Sequence, residues 1–265
     1  MNHEYDKTTL NTYSFWEHLE SLRWALFRTL GVVSLSFGVL FSIKDFLFDK
    51  VILAATNSDF VFYQVLRQLS VYWQLPEIYP GEFKLQLINI NLAGQLMAHL
   101  GVSVSFALLL SIPYILFEIW RFVSPALYKT ENKPVALLFV FSSALFYMGA
   151  MVSYFVIFPL TVRFLGTYEV SALIPNQITL QSYLSAFYIL VFSMGIMFEM
   201  PVLAYFLSKM GVLKRTTLRS GRNIAIVLIL IISALITPTT DPFTMLVMAL
   251  PLYILFELSI LVCKK

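Results

Sequence analysis

The stretch YLSAFYILVFSMGIMFEMPVLAYFL, residues 183–207, holds a single charged side chain. As an α-helix rising 1.5 Å per residue, it spans about 37 Å, which exceeds the ~30 Å hydrocarbon core of a bilayer. The whole chain has this character, because 59% of its 265 residues are hydrophobic and 12% are charged. Its mean hydropathy is +0.79. A soluble domain of this length carries far more polar surface, so the sequence predicts an all-α integral membrane protein.

Six apolar segments occur along the chain and predict one transmembrane domain over residues 1–265. They cover residues 25–43, 95–117, 135–158, 183–207, 223–237 and 243–262. The first four are long enough to cross a bilayer, whereas the last two are shorter or interrupted. The P-T-T-D-P turn between the last two predicts a short hairpin that leaves one side of the protein recessed.

The distribution of charge predicts the orientation of the chain. If the N-terminus is cytoplasmic, most of the 18 Lys and Arg fall on the cytoplasmic side, as they do in most membrane proteins. The sequence therefore favours a protein of the cytoplasmic (inner) membrane with both termini in the cytoplasm (N-in and C-in). Residues 1–24 are then a cytoplasmic amphipathic segment, and residues 44–94 are a long first periplasmic loop. Within that loop, residues 58–75 have helical spacing and residues 83–92 alternate like a short strand.

Glu199 is the charged residue inside the quoted segment, and Pro201 follows it closely. An ionised acid inside the hydrocarbon core of a membrane costs about 3 kcal/mol on insertion scales, so such a residue usually faces a wet cavity or a polar partner. The proline removes a backbone hydrogen bond and predicts a kink beside the acid. The alternative is a neutral glutamic acid that is hydrogen-bonded to another helix.

The same five-residue stretch, Y-I-L-F-E, occurs twice, and its final acids are Glu118 and Glu257. Both lie close to predicted cytoplasmic ends, where a side chain can reach the membrane interface, so we expect both to act as anchors. We attribute the shared stretch to the common composition of apolar helices rather than to an internal repeat.

The motifs of several enzyme classes are absent from the sequence. It has no G-x-x-x-x-G-K-[ST] nucleotide loop, no H-E-x-x-H and no Cys/His cluster, and Cys263 is its one cysteine. We therefore expect no enzymatic activity, no cofactor, no metal site and no nucleic-acid partner.

Carboxylates beside apolar surface characterise two of the predicted cytoplasmic regions. In SFWEHLESLRWAL, residues 14–26, Glu17, Glu20 and Ser21 fall on the side of a helix opposite an apolar stripe. The loop RFVSPALYKTENKP, residues 121–134, carries Glu131. Such a surface suits a peptide in which arginines precede an apolar stretch, because a guanidinium pairs with a carboxylate through two hydrogen bonds.

Several longer motifs occur in order along the chain: H-L-E-S-L-R at 18–23, F-V-S-P-A-L-Y-K-T-E at 122–131, F-Y-M-G at 146–149, Y-F-V-I-F-P at 154–159, F-E-M-P at 198–201 and I-T-P-T-T-D-P at 236–242. Together these motifs resemble the TatC family, the polytopic subunit of the twin-arginine protein translocase. The resemblance implies a six-helix, glove-like fold and a receptor for paired-arginine signal peptides of folded proteins. It also implies transport with the proton-motive force, and homo- and hetero-oligomers with the single-span subunits TatA and TatB.

The resemblance also implies roles for individual residues. The family's loop glutamate for arginine recognition matches Glu131, and the aromatic near it matches Phe122. The intramembrane glutamate, where a partner helix or an inserting signal peptide would dock, matches Glu199. The aspartate of the periplasmic turn matches Asp241. A proline often found in the first outer loop of the family is Ala55 here.

The N-terminal motif departs from the family pattern. The family commonly has H-L-x-E-L-R, whose glutamate falls on Ser21 and whose arginine falls on Arg23, and the resemblance assigns both positions to the signal-peptide site. Glu20 is adjacent in sequence but lies about 100° round a helix. Either Glu20 or Glu17 takes over the contact, or Glu131 carries more of the arginine recognition.

Two other functions compete with the receptor hypothesis. A proton-coupled small-solute carrier would use Glu199 as its proton site and would move solute by itself in liposomes. A structural scaffold would tolerate replacement of Glu131 without loss.

Overall fold

The computed structural model of the chain describes residues 15–73, 85–123, 133–171, 173, 174, 176–237 and 241–263. Within these ranges the molecule is built almost wholly of helices. The α-helices are α1 Phe15–Ser42, α2 Val61–Tyr72, α3 Gly94–Val123, α4 Lys133–Val152, α5 Phe158–Thr167, α6 Leu180–Phe198, α7 Met200–Lys209, α8 Arg215–Ser220, α9 Arg222–Ile236 and α10 Pro242–Val262. π-helical segments occupy Phe46–Ile52 and Ser153–Ile157, and a 3-10 helix occupies Leu53–Thr56.

Five helical stretches within the described residues are long and apolar enough to cross a membrane. They are Leu19–Ser42, Gly94–Phe122, Phe139–Thr167, Leu180–Lys209 and Pro242–Val262. The sixth apolar segment, α9, is shorter at 15 residues. The prediction that both of the last two segments are short or interrupted is therefore correct for α9 only. Helix α10 runs for 21 residues without a break at its internal Pro251.

The third apolar stretch extends further than the predicted segment 135–158. A wide helical turn at Ser153–Ile157 joins α4 to α5, so the helical path continues to Thr167. Arg163, which follows the predicted segment in sequence, lies in α5 and is 5% exposed. Its guanidinium carbon lies 5.1 Å from the ring centre of Tyr63, a cation–π contact that accommodates the buried charge.

The core lies where the α4–α5 stretch, α6 and α10 meet. Its fully buried side chains include Phe158, Phe187, Leu190, Met194, Met248 and Leu252. By contrast, α1 packs chiefly on α3, and only 6% of its most apolar stretch is buried inside the chain. The bilayer, or a partner in it, must cover the remaining apolar surface of α1.

The described parts of the first loop are pinned to the neighbouring helices by hydrogen bonds. The hydroxyls of Tyr63, Tyr154 and Tyr183 donate to the carbonyls of Pro159, Val51 and Ile52 at 2.8, 2.8 and 2.6 Å. α2 lies inside the stretch 58–75 that was predicted to be helical. The predicted strand is reduced to β1, Leu87–Ile88, which pairs in parallel with β2, Ile178–Thr179.

Candidate functional site: the α1–α3 end and an intramembrane glutamate

A buried carboxylate joins α1 to α3. Arg28 donates from Nε and Nη2 to the two oxygens of Glu118 at 2.8 and 2.9 Å, and the hydroxyl of Tyr114 donates to Oε1 at 2.8 Å. Glu118 is 5% exposed. The prediction that this acid anchors the chain at the membrane interface is therefore wrong, because its carboxylate is buried and hydrogen-bonded between α1 and α3.

The second Y-I-L-F-E segment makes the same arrangement on α10. Arg222 donates to Glu257 at 2.7 Å, and the hydroxyl of Tyr253 donates to the same carboxylate at 3.2 Å. In both segments the tyrosine precedes the glutamate by four residues, which places the two side chains on one helix face. The shared stretch thus has a shared structural use, in which an arginine from a neighbouring helix is fixed by a tyrosine–glutamate pair.

The direction of packing brings the N-terminal half of α1 to the C-terminal end of α3. Arg28 meets Glu118 near one end, and His99 Nε2 lies 3.1 Å from the carbonyl of Phe41 near the other. The two helices are therefore antiparallel. The H-L-E-S-L-R motif of α1 consequently lies at the same end as Phe122, in the last turn of α3.

The predicted recognition residues on α1 are accessible. Glu20 and Arg23 form an ion pair at 3.8 Å, with side chains 64% and 59% exposed. Arg23 also lies over the ring of Trp24 at 5.7 Å. Ser21 is exposed and lies seven residues, or about two helical turns, before Arg28. The forked ion pair of Arg28 thus sets the rotation of the helix that presents Ser21.

Two predicted recognition residues fall partly or wholly outside the described residues. Glu131 lies in the connection 124–132, which is not among them. Glu17 belongs to the first turn of α1, but its side chain is not among the described ones. Their roles remain predictions from the sequence.

Glu199 stands at a break in the fourth apolar stretch. α6 ends at Phe198 and α7 begins at Met200 with Pro201 in its first turn, so the predicted interruption beside the proline is present. The hydroxyl of Ser142 on α4 donates to Oε2 of Glu199. The other oxygen, Oε1, is buried and has no hydrogen-bond partner among the described residues.

Two glycines bring α4 close enough to α6 for this contact. A Cβ added at Gly149 would lie 2.6 Å from the carbonyl oxygen of Met194. One added at Gly195 would lie 2.7 Å from the ring of Phe146. Any larger residue would push the helices apart, because real Cβ contacts are longer than this.

An apolar stripe surrounds Glu199 on the outer face of its helices. Ile196, Leu203 and Leu207 follow the helical spacing of Glu199 and are 59%, 53% and 39% exposed. A second membrane helix lying on this stripe would pass close to the carboxyl group of Glu199, whose unpaired Oε1 is covered by the surrounding described residues.

Asp241 has a structural task at the start of α10. Its Oδ1 accepts a hydrogen bond from the backbone N–H of Thr244 at 2.7 Å, and Pro242 follows it at the first helical position. This is an N-cap of the type that stabilises helix starts.

Sequence reasoning missed two of the residues that build these sites. Arg28 entered the prediction only as one of the cations that set the orientation of the chain. An arginine and a glutamate in two different apolar helices nevertheless indicate an ion pair between those helices. Ser142 gave no signal, because serine is common in membrane helices and its partner is 57 positions away.

Comparisons with known proteins agree with the motifs. The family model described as "Sec-independent protein translocase protein (TatC)" matches residues 17–251. A protein of Helicobacter pylori strain J99, "Sec-independent protein translocase protein TatC", is 38% identical over 194 residues, which are 73% of this chain and 77% of that protein. A protein of the same description from Blattabacterium sp. subsp. Periplaneta americana is 30% identical over 256 residues, 96% of each chain.

Solved structures match at the level of the fold. A crystal structure described as "Twin Arginine Translocase Receptor- TatC in DDM" superposes with a TM-score of 0.71 at 30% identity. The match covers 94% of this chain and 100% of the other. The predicted all-α, six-helix, glove-like membrane fold and the family resemblance are confirmed, and the carrier hypothesis gains no support.

Proposed function

The chain belongs to the TatC family of Sec-independent protein translocase proteins, and from that premise we propose that it is the core receptor subunit of a twin-arginine translocase. It binds the paired-arginine signal peptides of folded proteins and organises their transport across the membrane with the proton-motive force. It acts as a transport component and carries out no enzymatic reaction of its own.

The proposal includes an orientation and a set of partners. The protein lies in the cytoplasmic membrane with both termini in the cytoplasm, as the distribution of Lys and Arg favours. TatA and TatB single-span subunits assemble with it, and the complex contains more than one copy of this chain.

The meeting of α1 and α3 at one end of the molecule is the observation that carries this proposal. The exposed pair of Glu20 and Arg23 is separated by 3.8 Å. Exposed pairs contribute at most about 1 kcal/mol, so an arginine of the signal peptide can replace Arg23 at little cost. A closer guanidinium would gain the two-hydrogen-bond geometry, and Phe122 at the neighbouring helix end offers apolar surface.

Glu131 takes the principal contact with the arginines, and Glu20 or Glu17 assists it in place of the family's glutamate at Ser21. The apolar part of the signal peptide then lies along exposed helix surface. Glu199 accepts a hydrogen bond from a partner helix or from the inserting signal peptide after a local movement of the helices uncovers its buried, unpaired oxygen.

Binding of a fluorescently labelled paired-arginine signal peptide to the purified protein tests this proposal. We expect Glu131→Ala to weaken binding more than about tenfold, because truncating one partner of a charged pair that the bound peptide buries costs ~2–5 kcal/mol. Glu20→Ala weakens binding less, and Ser21→Glu strengthens it by restoring the family's carboxylate.

Glu169→Ala is the matched control, since Glu169 is an exposed glutamate on the predicted outer side. It should bind the peptide like the wild type. If Glu131→Ala binds as well as the wild type, the scaffold hypothesis replaces the receptor hypothesis. If the wild type itself fails to bind, the isolated subunit is not a receptor.

A further inference from the structure

The connection between α7 and α9 concentrates positive charge at one end of the helices. Residues 209–222 contain no Asp or Glu. Their cations are Lys209, Lys214, Arg215, Arg219 and Arg222. This segment follows directly on the apolar stretch Leu180–Lys209, so its charges lie at the level where that stretch leaves the hydrocarbon.

The turn that ends α7 is well defined. Gly211 has φ +78°, in the left-handed region that glycine adopts without strain. The N–H of Val212 donates to the carbonyl of Leu207 at 3.0 Å, and the N–H of Gly211 donates to that of Ser208 at 3.1 Å. This pair of hydrogen bonds is a Schellman motif, which fixes the direction in which the chain leaves the helix.

The short helix α8 is held against the rest of the protein. Leu218 is partly buried against the hydrophobic core, and α8 contacts both α9 and α10. Arg215 and Arg219, one helical turn apart, are therefore carried by an anchored element.

Three of the cations have no acidic partner in the part of the chain that the structure describes. Arg222 is paired with Glu257 at 2.7 Å. No carboxylate among the described residues lies within ion-pair distance of Lys214, Arg215 or Arg219. Their charges are thus available to an anion from outside the chain.

Apolar side chains adjoin these cations. Met210 and Val212 are 53% and 69% exposed at the turn itself. Exposed apolar residues beside unpaired cations at the end of a membrane helix match the boundary between acyl chains and phosphate groups, where both kinds of side chain are satisfied.

We propose that residues 210–219 form a binding site for the headgroup of an anionic phospholipid. Lys214, Arg215 and Arg219 contact the phosphate, while Met210 and Val212 enter the upper acyl region. The orientation proposed above places this lipid in the cytoplasmic leaflet. The site depends on membrane insertion and does not depend on signal-peptide binding.

Native mass spectrometry of the full chain, titrated in detergent with dioleoylphosphatidylglycerol or dioleoylphosphatidylcholine, tests the site. We expect the wild type to retain the anionic lipid in preference. The variant Lys214→Gln/Arg215→Gln/Arg219→Gln should lose this preference more than about tenfold, because each cation near an anionic surface contributes about a factor of five. Soluble glycerol phosphate should not displace the lipid, which separates a lipid site from a phosphate site.

Two further variants guard against indirect effects. Lys44→Gln/Lys50→Gln/Arg67→Gln removes three exposed cations elsewhere and should keep the preference. The charge-conserving Lys214→Arg/Arg215→Lys/Arg219→Lys should keep it too, which shows that lost charge, and not misfolding, is responsible. Equal retention of both lipids by the wild type, or binding of a polyglutamate peptide without any lipid preference, would overturn the proposal.

Discussion

Glu199 is held by one hydrogen bond and leaves one oxygen without a partner among the described residues. A buried acceptor without a donor costs about 1–3 kcal/mol, so the isolated subunit is destabilised at the place where the exposed stripe of Ile196, Leu203 and Leu207 begins. A partner helix that donates to this oxygen would recover that energy, but only after a local movement uncovers the buried atom. In the proposed association, the same carboxyl group would serve binding at the expense of the stability of the free subunit.

Replacement of Glu199 by leucine should separate these two effects. We expect Glu199→Leu to raise the thermal unfolding midpoint of the purified subunit, since an incompletely satisfied polar group gives way to an apolar one of similar size. Copurification with a single-span partner should fall at the same time. Ser142→Ala is the companion variant and should lower the midpoint, because it removes the donor to Oε2. A lower midpoint for Glu199→Leu would contradict this account.

Helix α1 is attached chiefly along α3, and the Arg28–Glu118 pair joins the two helices through two hydrogen bonds. Because Glu118 is 5% exposed, its charge depends on Arg28 for compensation. The pair also restrains the rotation of α1 and hence the direction in which Glu20 and Ser21 point. This element therefore links the packing of two helices to the geometry of the proposed recognition site.

A double-mutant cycle should reveal this dependence. We expect Arg28→Ala to destabilise the protein more than Arg28→Ala/Glu118→Ala, because the single variant leaves a buried carboxylate without its cation. The midpoint of thermal unfolding in detergent measures both. The exposed pair Arg23 and Glu20 is the control and should show additive, small effects. Strict additivity at Arg28 and Glu118 would show that the pair does not act as a unit.

The contact between α4 and α6 depends on a close approach at Gly149. Gly149→Ala would bring a methyl group within 2.6 Å of a backbone oxygen, so overpacking should cost ~1–3 kcal/mol and lower the unfolding midpoint by about 2–4 °C for each kcal/mol. Gly31→Ala and Gly38→Ala are matched controls, because nothing lies within 4 Å of a Cβ at either site. They should leave the midpoint unchanged or raise it slightly through helix propensity. An unchanged midpoint for Gly149→Ala would show that the helices can separate without cost.

Sequence reasoning succeeded where the signal is local and failed where it depends on packing between distant helices. Apolar length located the spanning segments, and Pro201 located the break at Glu199. The burial of Glu118 was missed, because proximity to a predicted helix end was taken to mean access to the membrane interface. The partners of Glu118 and Glu199 lie on other helices, and no spacing within one segment reveals them.

On the scale of the whole molecule, the helices differ in how much of their surface they bury against the rest of the chain. α1 buries little of itself within the chain, whereas the α4–α6 core closes around glycines and aromatic rings. A receptor that must admit a peptide and then recruit partner helices needs exposed helix surface in the membrane. The exposed faces of α1 and of the α6–α7 stretch supply such surface. The ion pair of Arg28 and Glu118 holds α1 on α3, and the hydrogen bond of Ser142 to Glu199 joins α4 to the α6–α7 stretch.

The most direct test of the receptor proposal compares two signal peptides on the purified wild-type protein. One carries the paired arginines and the other carries lysines at both positions, with a third peptide that has a single Arg-to-Lys change outside the pair as control. The account predicts that the paired-lysine peptide binds at least about tenfold more weakly, because lysine cannot form two parallel hydrogen bonds to a carboxylate. Equal affinity for the paired-arginine and paired-lysine peptides would contradict it.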